Sequence, residues 1–318
     1  MPRENVKGVE PMIDVLIIGS GPAGLSASIY AKRAGLHVLV IEKNYYGIGQ
    51  IAESHQVDNY PGIPEVNGYE LGMKFRQHAE SIGVSFVEKE GASYQFQESS
   101  RLWKVTYGDG EIQEAKTIIY AAGAAHRHLN IPGEKDLTGM GISYCATCDG
   151  AFYKGKDVAV IGGGNTALGD ALYLSDLVNK VYLIHRRDTF RGAADTVEKL
   201  KQKENVEFIL NANPVAIKGN DMVETVALED GRSLPVNGVF IAVGMEPVTH
   251  PLKDVVEMDA YGYIVADEDC ITSAPGFFVA GDVRTKNLRQ IVTAVSDGAN
   301  AVNSAKEYLY HMNSKDDR

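Results

Sequence analysis

The chain has 318 residues, about twice a typical domain length, so two domains are the expectation and each can bury a core. Its 31 basic and 42 acidic residues give a net charge of −11, which disfavours nucleic acid and anionic lipid as partners, and no basic stripe appears. Residues 1–12 lack the apolar core of a secretion signal, no apolar run approaches the ~18 residues that cross a bilayer, and three cysteines are too few for a disulfide framework. The expectation is a cytoplasmic protein with neither membrane nor nucleic-acid partner.

Residues 13–18 form a short apolar run of strand type that ends in Gly19-Ser20-Gly21-Pro22-Ala23-Gly24, and an Ala-rich helical pattern follows to about Arg33. In such a strand–turn–helix unit the first glycine makes the tight turn, the second admits a pyrophosphate, and the third lets helix and strand pack closely. Gly19, Gly21 and Gly24 therefore read as a dinucleotide turn, with the phosphates at the helix N-terminus. A second strand, 37–41, ends in Glu42, 23 residues after Gly19, where a carboxylate accepts hydrogen bonds from a ribose. Residues 47–62 read as a loop and 68–81 as a helix. Residues 84–87, 93–97 and 102–107 read as a small meander turning at 108–110, and 117–123 as a buried strand.

From Asp157 the pattern starts again. Residues 157–161 lead into Gly162-Gly163-Gly164, a helical segment to about Leu177, and a strand over 181–184. Twenty-three residues after Gly162 stands His185, followed by Arg186 and Arg187, with Arg191 one turn on. Arginines at this offset suit a ribose 2′-phosphate, which a carboxylate would repel, so the second nucleotide reads as NADPH. Residues 238–244 echo 117–123, 246–251 read as a linker, and 277–282 return to the first domain as a strand ending in Gly-Asp. Residues 289–310 read as a long helix interrupted by Gly298, and the chain from Asn313 as a disordered tail. Cys270, among polar residues, reads as incidental. The fold class that follows is α/β: two Rossmann-like domains, an FAD/NAD(P)-type three-layer design, with the second (126–250) inserted into the first (1–125 and 251–318).

Between the two units lies Cys145-Ala146-Thr147-Cys148-Asp149. These cysteines are the protein atoms able to carry two electrons, because a Cys-x-x-Cys pair closes a small disulfide ring that is readily reduced when one sulfur is held as thiolate. Asp149 is placed to move the accompanying proton, or else to cap a helix. The competing reading is half of a zinc site, but the second ligand pair would have to come from Cys270, His126 and His128; no metal is expected.

Three stretches carry a resemblance: Ser143-Tyr-Cys-Ala-Thr-Cys-Asp-Gly150, His185-Arg-Arg-Asp-Thr-Phe-Arg191, and Gly281-Asp-Val-Arg284 with Arg289-Gln290. On them the chain resembles the low-molecular-weight thioredoxin reductases from Gly19 to about Tyr308. The resemblance implies FAD on the first domain and NADPH on the second, a homodimer, and thioredoxin or a thioredoxin-like dithiol protein as acceptor. Carried over by motif, Gln50, Asn59, Asp282 and Gln290 join Gly19, Gly21, Gly24 and Glu42 in holding FAD, while Gly162, Gly164, Arg186, Arg187 and Arg191 hold NADPH. Electrons would pass from NADPH through FAD to Cys148 and Cys145, with Cys145 attacking the acceptor and Asp149 supplying the proton, and the second domain would rotate about linkers near 124–128 and 246–251. Three departures stand out: Ile48-Gly49-Gln50 where the family commonly has Gly-Gly-Gln, Gly169 where it has an acid, and Ala151-Phe152 where it often has Phe-Phe. Competing functions are the same scaffold fed by a ferredoxin-type donor, an FAD-dependent dithiol oxidase, and a non-catalytic protein with structural FAD and zinc.

Overall fold

The computed structural model describes residues 12–316 apart from 45, 55 and 56. They divide into two compact units, one made of the chain up to Ala52, Tyr69–Ala124 and the chain from Pro247, the other of Glu53–Gly68 and Ala125–Glu246. Residues 53–68, which the sequence reading kept in the first domain, group with the second unit. They close on themselves: Val57 N–H donates to the Val66 carbonyl (2.7 Å) and Gly68 N–H to that of Ser54 (2.9 Å).

The first unit opens with β1 (Ile13–Ile18), α1 (Pro22–Arg33) and β2 (Val38–Glu42). Proline at the first turn of α1, where its missing N–H costs nothing, and Lys32 and Arg33 in the last turn match the helix ends. Next come α2 (Gly68–Ser81), β3 (Ser85–Glu88), β4 (Gly91–Gln97), β5 (Leu102–Tyr107) and β6 (Ile112–Tyr120). β3 pairs parallel with β2 and so belongs to the main sheet, not to the meander expected of it. β6 serves twice: its first half pairs antiparallel with β5, while Val15↔Thr117 and its neighbours run parallel with β1.

The second unit follows the same plan. After β7 (Ala124–His126), β8 (Ile142–Ser143) and α3 (Ala146–Asp149) come β9 (Asp157–Gly162), α4 (Asn165–Ser175), β10 (Lys180–Ile184), α5 (Ala194–Lys201) and β11 (Val206–Ile209). The meander β12 (Pro214–Gly219), β13 (Val223–Leu228) and β14 (Ser233–Pro235) precedes β15 (Gly238–Ala242) and β16 (Met245–Pro247). The parallel sheet has the order β11-β10-β9-β15-β8. The chain then returns through β17 (Phe277–Val279), parallel to β6, to α6 (Ile291–Asp316). α6 runs on through the residues expected to be a disordered tail; Asp317 and Arg318, like residues 1–11, lie outside the described chain.

Alternation along β1 shows why each unit has three layers. Val15 and Ile17 pack with Leu25, Ala27 and Ala301 of the helical layer, while Leu16 and Ile18 pack with Trp103, Tyr120 and Phe277 beside the meander. Successive side chains of a strand point to opposite faces, so a strand buried on both reads as a continuous apolar run. In β9, Val158 and Val160 face α4, and Ala159 and Ile161 face the second meander.

Gly298 does not interrupt α6. A Cβ there would lie 2.3 Å from the Ala23 carbonyl oxygen and 2.8 Å from the Ala27 nitrogen, so its absence is what lets α6 lie against α1. We expect Gly298→Ala to destabilise this unit by about 1–3 kcal/mol through overpacking, opposite in sign to the ~1 kcal/mol that the same change gains in an unobstructed helix. Urea unfolding followed by Trp103, the single tryptophan and buried in this unit, measures it; an unchanged midpoint would show that the helices separate freely.

Candidate active site

At the carboxyl edge of the first sheet the glycine turn is tightly built. Gly19 has φ +102°, and a Cβ on it would meet the Ala121 carbonyl at 2.6 Å, while one on Gly24 would lie 1.9 Å from the Gly19 carbonyl oxygen. Gly21 differs: a Cβ there would make only ordinary contacts, with Gly49 at 3.7 Å and the Ile48 carbonyl oxygen at 3.9 Å, leaving its backbone open at the start of α1. Glu42, at the end of β2, is held by Ser20, whose N–H and Oγ donate to its Oε2 at 2.8 and 3.0 Å. Ile48, the departure from Gly-Gly-Gln, is buried over Gly72 of α2, where a Cβ would come 2.5 Å from its Cδ1; a small residue opposite accommodates the large one. Gln50 follows at once and opens a short 3₁₀ turn.

Asp282 reaches this edge from the far end of the chain, and Gln290 stands directly before α6. A Cβ on Gly281 (φ +84°) would press on that of Ala23 at 2.9 Å, which sets the turn carrying Asp282 against the start of α1. The turn is fixed by a buried carboxylate that the sequence reading missed. Asp297 of α6 accepts from Gly281 N–H (2.9 Å), from Arg284 through Nε and Nη2 (2.8 and 2.7 Å), and from Lys286 Nζ (2.9 Å). Burial pushes the Asp297 pKa up, but the hydrogen bonds from Arg284 and Lys286 outweigh it and hold the group below the usual carboxylate range. Asp282 Oδ1 is buried with no hydrogen-bond partner among the described residues, and burial raises its pKa. A buried acceptor left in that condition calls for a donor from outside the chain. Asn59 lies in the segment 53–68, which clusters with the other unit.

In the second unit the loop after β10 folds over the second glycine turn. Arg191 N–H donates to the Gly163 carbonyl (2.8 Å) and Ala193 N–H to Asn165 Oδ1 (2.8 Å). A Cβ on Gly163 would lie 2.1 Å from the His185 ring, which stacks on Phe190 at 5.2 Å; burial lowers the His185 pKa. Gly164 opens onto space, and Arg186, Arg187 and Arg191 are exposed with no ion pair among the described residues. A Cβ on Gly169 would meet nothing within 4 Å, and beside it burial raises Asp170 to about 6.

Cys145 and Cys148 form a disulfide, with Cα atoms 5.3 Å apart, at the ends of the first turn of α3. Among the described residues no group of three or more His, Cys, Asp or Glu side chains is arranged to hold a metal. Ser143, quoted in the motif but given no role there, organises the loop: its Oγ accepts from Cys145 N–H (3.0 Å) and lies 2.6 Å from Asp149 Oδ2, to which it donates. Asp149 makes no side-chain capping bond, so the capping alternative falls away. A Cβ on Gly150 would press on Leu174 and Tyr173 at 3.0 Å, which seats the loop on α4, and Phe152 stands exposed beyond it. Cys270, contrary to its reading among polar residues, is fully buried in the helical layer with Sγ against the Asp297 carbonyl (3.5 Å), and burial lifts its thiol to about 12.

Two strand–glycine–helix turns and a redox pair define a class, and comparison with known proteins agrees: residues 13–298 match the pyridine nucleotide-disulphide oxidoreductases, and the chain belongs to that family. Within it, the chain is similar over nearly its whole length to thioredoxin reductases. The one from Listeria monocytogenes is 40% identical over 309 residues, 95% of this chain and 96% of the relative, and the one from Bacillus subtilis is 38% identical over 310, with the same shares. The crystal structure of thioredoxin reductase from Streptococcus pyogenes superposes with a TM-score of 0.89 at 40% identity, covering 94% of this chain and 99% of that one.

We expect Asp297→Ala, which leaves Arg284 and Lys286 buried without their counter-ion, to cost this unit about 3–5 kcal/mol. Because the folded pKa is depressed, the contribution is complete above the unfolded carboxylate pKa and is lost as pH falls through the folded one. Urea midpoints of native and variant protein should therefore converge on acidification; parallel curves would show that the charge carries none of the effect.

Proposed function

We propose that the chain is a thioredoxin-disulfide reductase, taking electrons from NADPH through FAD to the Cys145–Cys148 disulfide and on to thioredoxin or a thioredoxin-like dithiol protein. The observation that carries this reading is the Cys145–Cys148 disulfide, tied through Ser143 to Asp149 and borne by a unit with its own glycine turn and arginine cluster. FAD is assigned to the unit of Gly19, Gly21, Gly24, Glu42, Gln50, Asp282 and Gln290; Asn59, which the motif also assigns to FAD, lies in the segment 53–68. Asp282 Oδ1, without a partner among the described residues, and the open backbone at Gly21 fit it. NADPH is assigned to Gly162, Gly164, Arg186, Arg187 and Arg191, where three exposed guanidinium groups suit a 2′-phosphate. The same reading carries a cytoplasmic homodimer. Among the described residues no helix is long and apolar enough to cross a membrane.

FAD, when bound, supplies the two-electron carrier between a nicotinamide and a disulfide. The chain's own residues do the thiol chemistry. With the disulfide open, Cys145 Sγ attacks one sulfur of the acceptor, forming a mixed disulfide and releasing one acceptor thiolate. Cys148 Sγ then attacks Cys145 Sγ, closing the pair and releasing the second. Asp149, its Oδ2 held by Ser143, is the group on hand to move the protons, and the sum is NADPH, a proton and a disulfide giving NADP⁺ and a dithiol.

Anaerobic titration with NADPH and with NADH, recording the flavin spectrum, tests the reading. Bleaching by NADPH with reducing equivalents appearing in thioredoxin supports it, whereas bleaching by neither nucleotide would turn attention to a ferredoxin-type donor or a dithiol oxidase. Replacing Arg186 and Arg187 by alanine should raise KM for NADPH by about tenfold or more and leave that for NADH nearly unchanged, since charge-assisted bonds to the 2′-phosphate are lost. An unaltered preference would remove the phosphate from this site. Ser143→Ala should leave flavin reduction by NADPH intact and slow turnover with thioredoxin about tenfold, because Asp149 loses its anchor; equal loss in both half-reactions would mean general damage.

A further inference from the structure

Immediately before the first cysteine stands Tyr144, a residue the thiol chemistry above does not use, and it is gripped from several sides. Its hydroxyl donates to Glu134 Oε1 at 3.0 Å, and His128 Nδ1 lies 3.0 Å from that hydroxyl and 3.3 Å from the same carboxylate oxygen. The His126 ring stacks on the tyrosine face, centroids 4.8 Å apart and planes 20° from parallel. Glu134 is itself buried and immobilised, accepting from Leu129 N–H (3.0 Å) and Asn130 N–H (2.7 Å). Burial, followed by the neighbouring His128, lowers the His126 pKa to about 4, so the stacked ring is neutral over the working range.

This arrangement meets a need of the redox loop. α3 has four residues, too few to be stable alone, so in the closed form the disulfide itself helps define where Cys145 sits. Once the bond opens, that tie is gone, while in-line attack on a disulfide still requires the sulfur in its near-attack position, where a misplacement of about 1 Å can cost about 100-fold. We propose that Tyr144 is a positioning residue for Cys145: buried Glu134 and the two histidine rings fix residue 144, and through one peptide unit keep the open dithiol in the geometry of the closed disulfide. The proposal rests on reading the cysteines as a redox pair. It assigns Tyr144 a share in the closure equilibrium of that pair as well as in turnover.

Tyr144→Phe retains the stacked ring and removes only the hydroxyl. In the holoenzyme we expect closure of the dithiol to weaken about tenfold, read by thiol trapping in redox buffers as a potential about 30 mV less negative. Turnover with thioredoxin should fall by a similar factor while NADPH reduces the flavin at the native rate. Glu134→Gln, checked for folding by near-UV circular dichroism, should shift the potential in the same direction. A Tyr144→Phe protein with native potential and turnover overturns the proposal, as does a lowered melting temperature with no change in potential. A native chain whose cysteines carry no electrons overturns the functional reading first, and the positioning role with it.

Discussion

Asp297 ties α6 to the turn that follows β17, from Gly281 to Lys286. A carboxylate taken out of water is expensive unless every lone pair finds a donor, and here a bidentate arginine, a lysine and a backbone N–H supply them. Its neighbour Gly298 is the point where α6 meets α1, so two consecutive residues anchor one helix to both another helix and the turn after β17. Arg284 is satisfied in turn, since its Nη1 donates to the Thr285 and Ala266 carbonyls. Held in this way, the turn cannot relax to give Asp282 Oδ1 a partner from the chain. On the proposed assignment this acceptor is where a ligand donor would bind, and Asp297 fixes the turn that carries it.

The redox loop solves a related problem with weaker means. Four helical residues, one serine and one tyrosine hold two sulfurs whose covalent link is made and broken in every cycle. Ser143 acts from the strand side on the Cys145 backbone and on Asp149, and the Glu134–Tyr144 pair acts from the preceding loop. Neither contact involves a sulfur atom, so neither depends on the oxidation state. That independence matters physically: a support that vanished on reduction would let the dithiol wander when it must be aligned.

Much of this was legible in the sequence because it rests on local rules. The glycine turns, the 23-residue offset to Glu42 and to His185 with the arginines following it, and the cysteine spacing all follow from what a backbone or a small ring requires. What was not legible depends on partners distant in the chain. The placement of β3 depends on which edge of β2 is free, and period-two patterning does not say whether a short strand joins a meander or a parallel sheet. Gly298 looked like a helix breaker because propensity counts only the helix, whereas its role is set by the Ala23 carbonyl 275 residues earlier. Cys270 lies in polar sequence and is buried, Asp297 had been given no role, and Ser143 and Tyr144 were quoted only as parts of a motif. Only the fold shows which backbone amide or carboxylate each one meets.

On the proposed assignment, the two glycine turns fit one design to two ligands. In the first unit the middle residue of the turn is Ser20, which donates to Glu42 across a separation of 22 residues. The same separation joins Gly163 to His185 in the second, where any Cβ would run into the imidazole ring. The space that a serine side chain uses to orient a carboxylate is thus the space a ring occupies in the other turn, and the ring, braced by Phe190 and by the Thr189 carbonyl at 3.1 Å, shapes the loop that displays Arg186, Arg187 and Arg191. A ribose bearing free hydroxyls suits the first arrangement and a ribose bearing a phosphate suits the second, since the carboxylate accepts hydrogen bonds and repels phosphate while the guanidinium groups do the reverse. Changing the acid alone would not convert one turn into the other. The middle glycine and the histidine belong to the same choice, which makes the pair Ser20–Glu42 against Gly163–His185 the unit on which the nucleotide assignment stands.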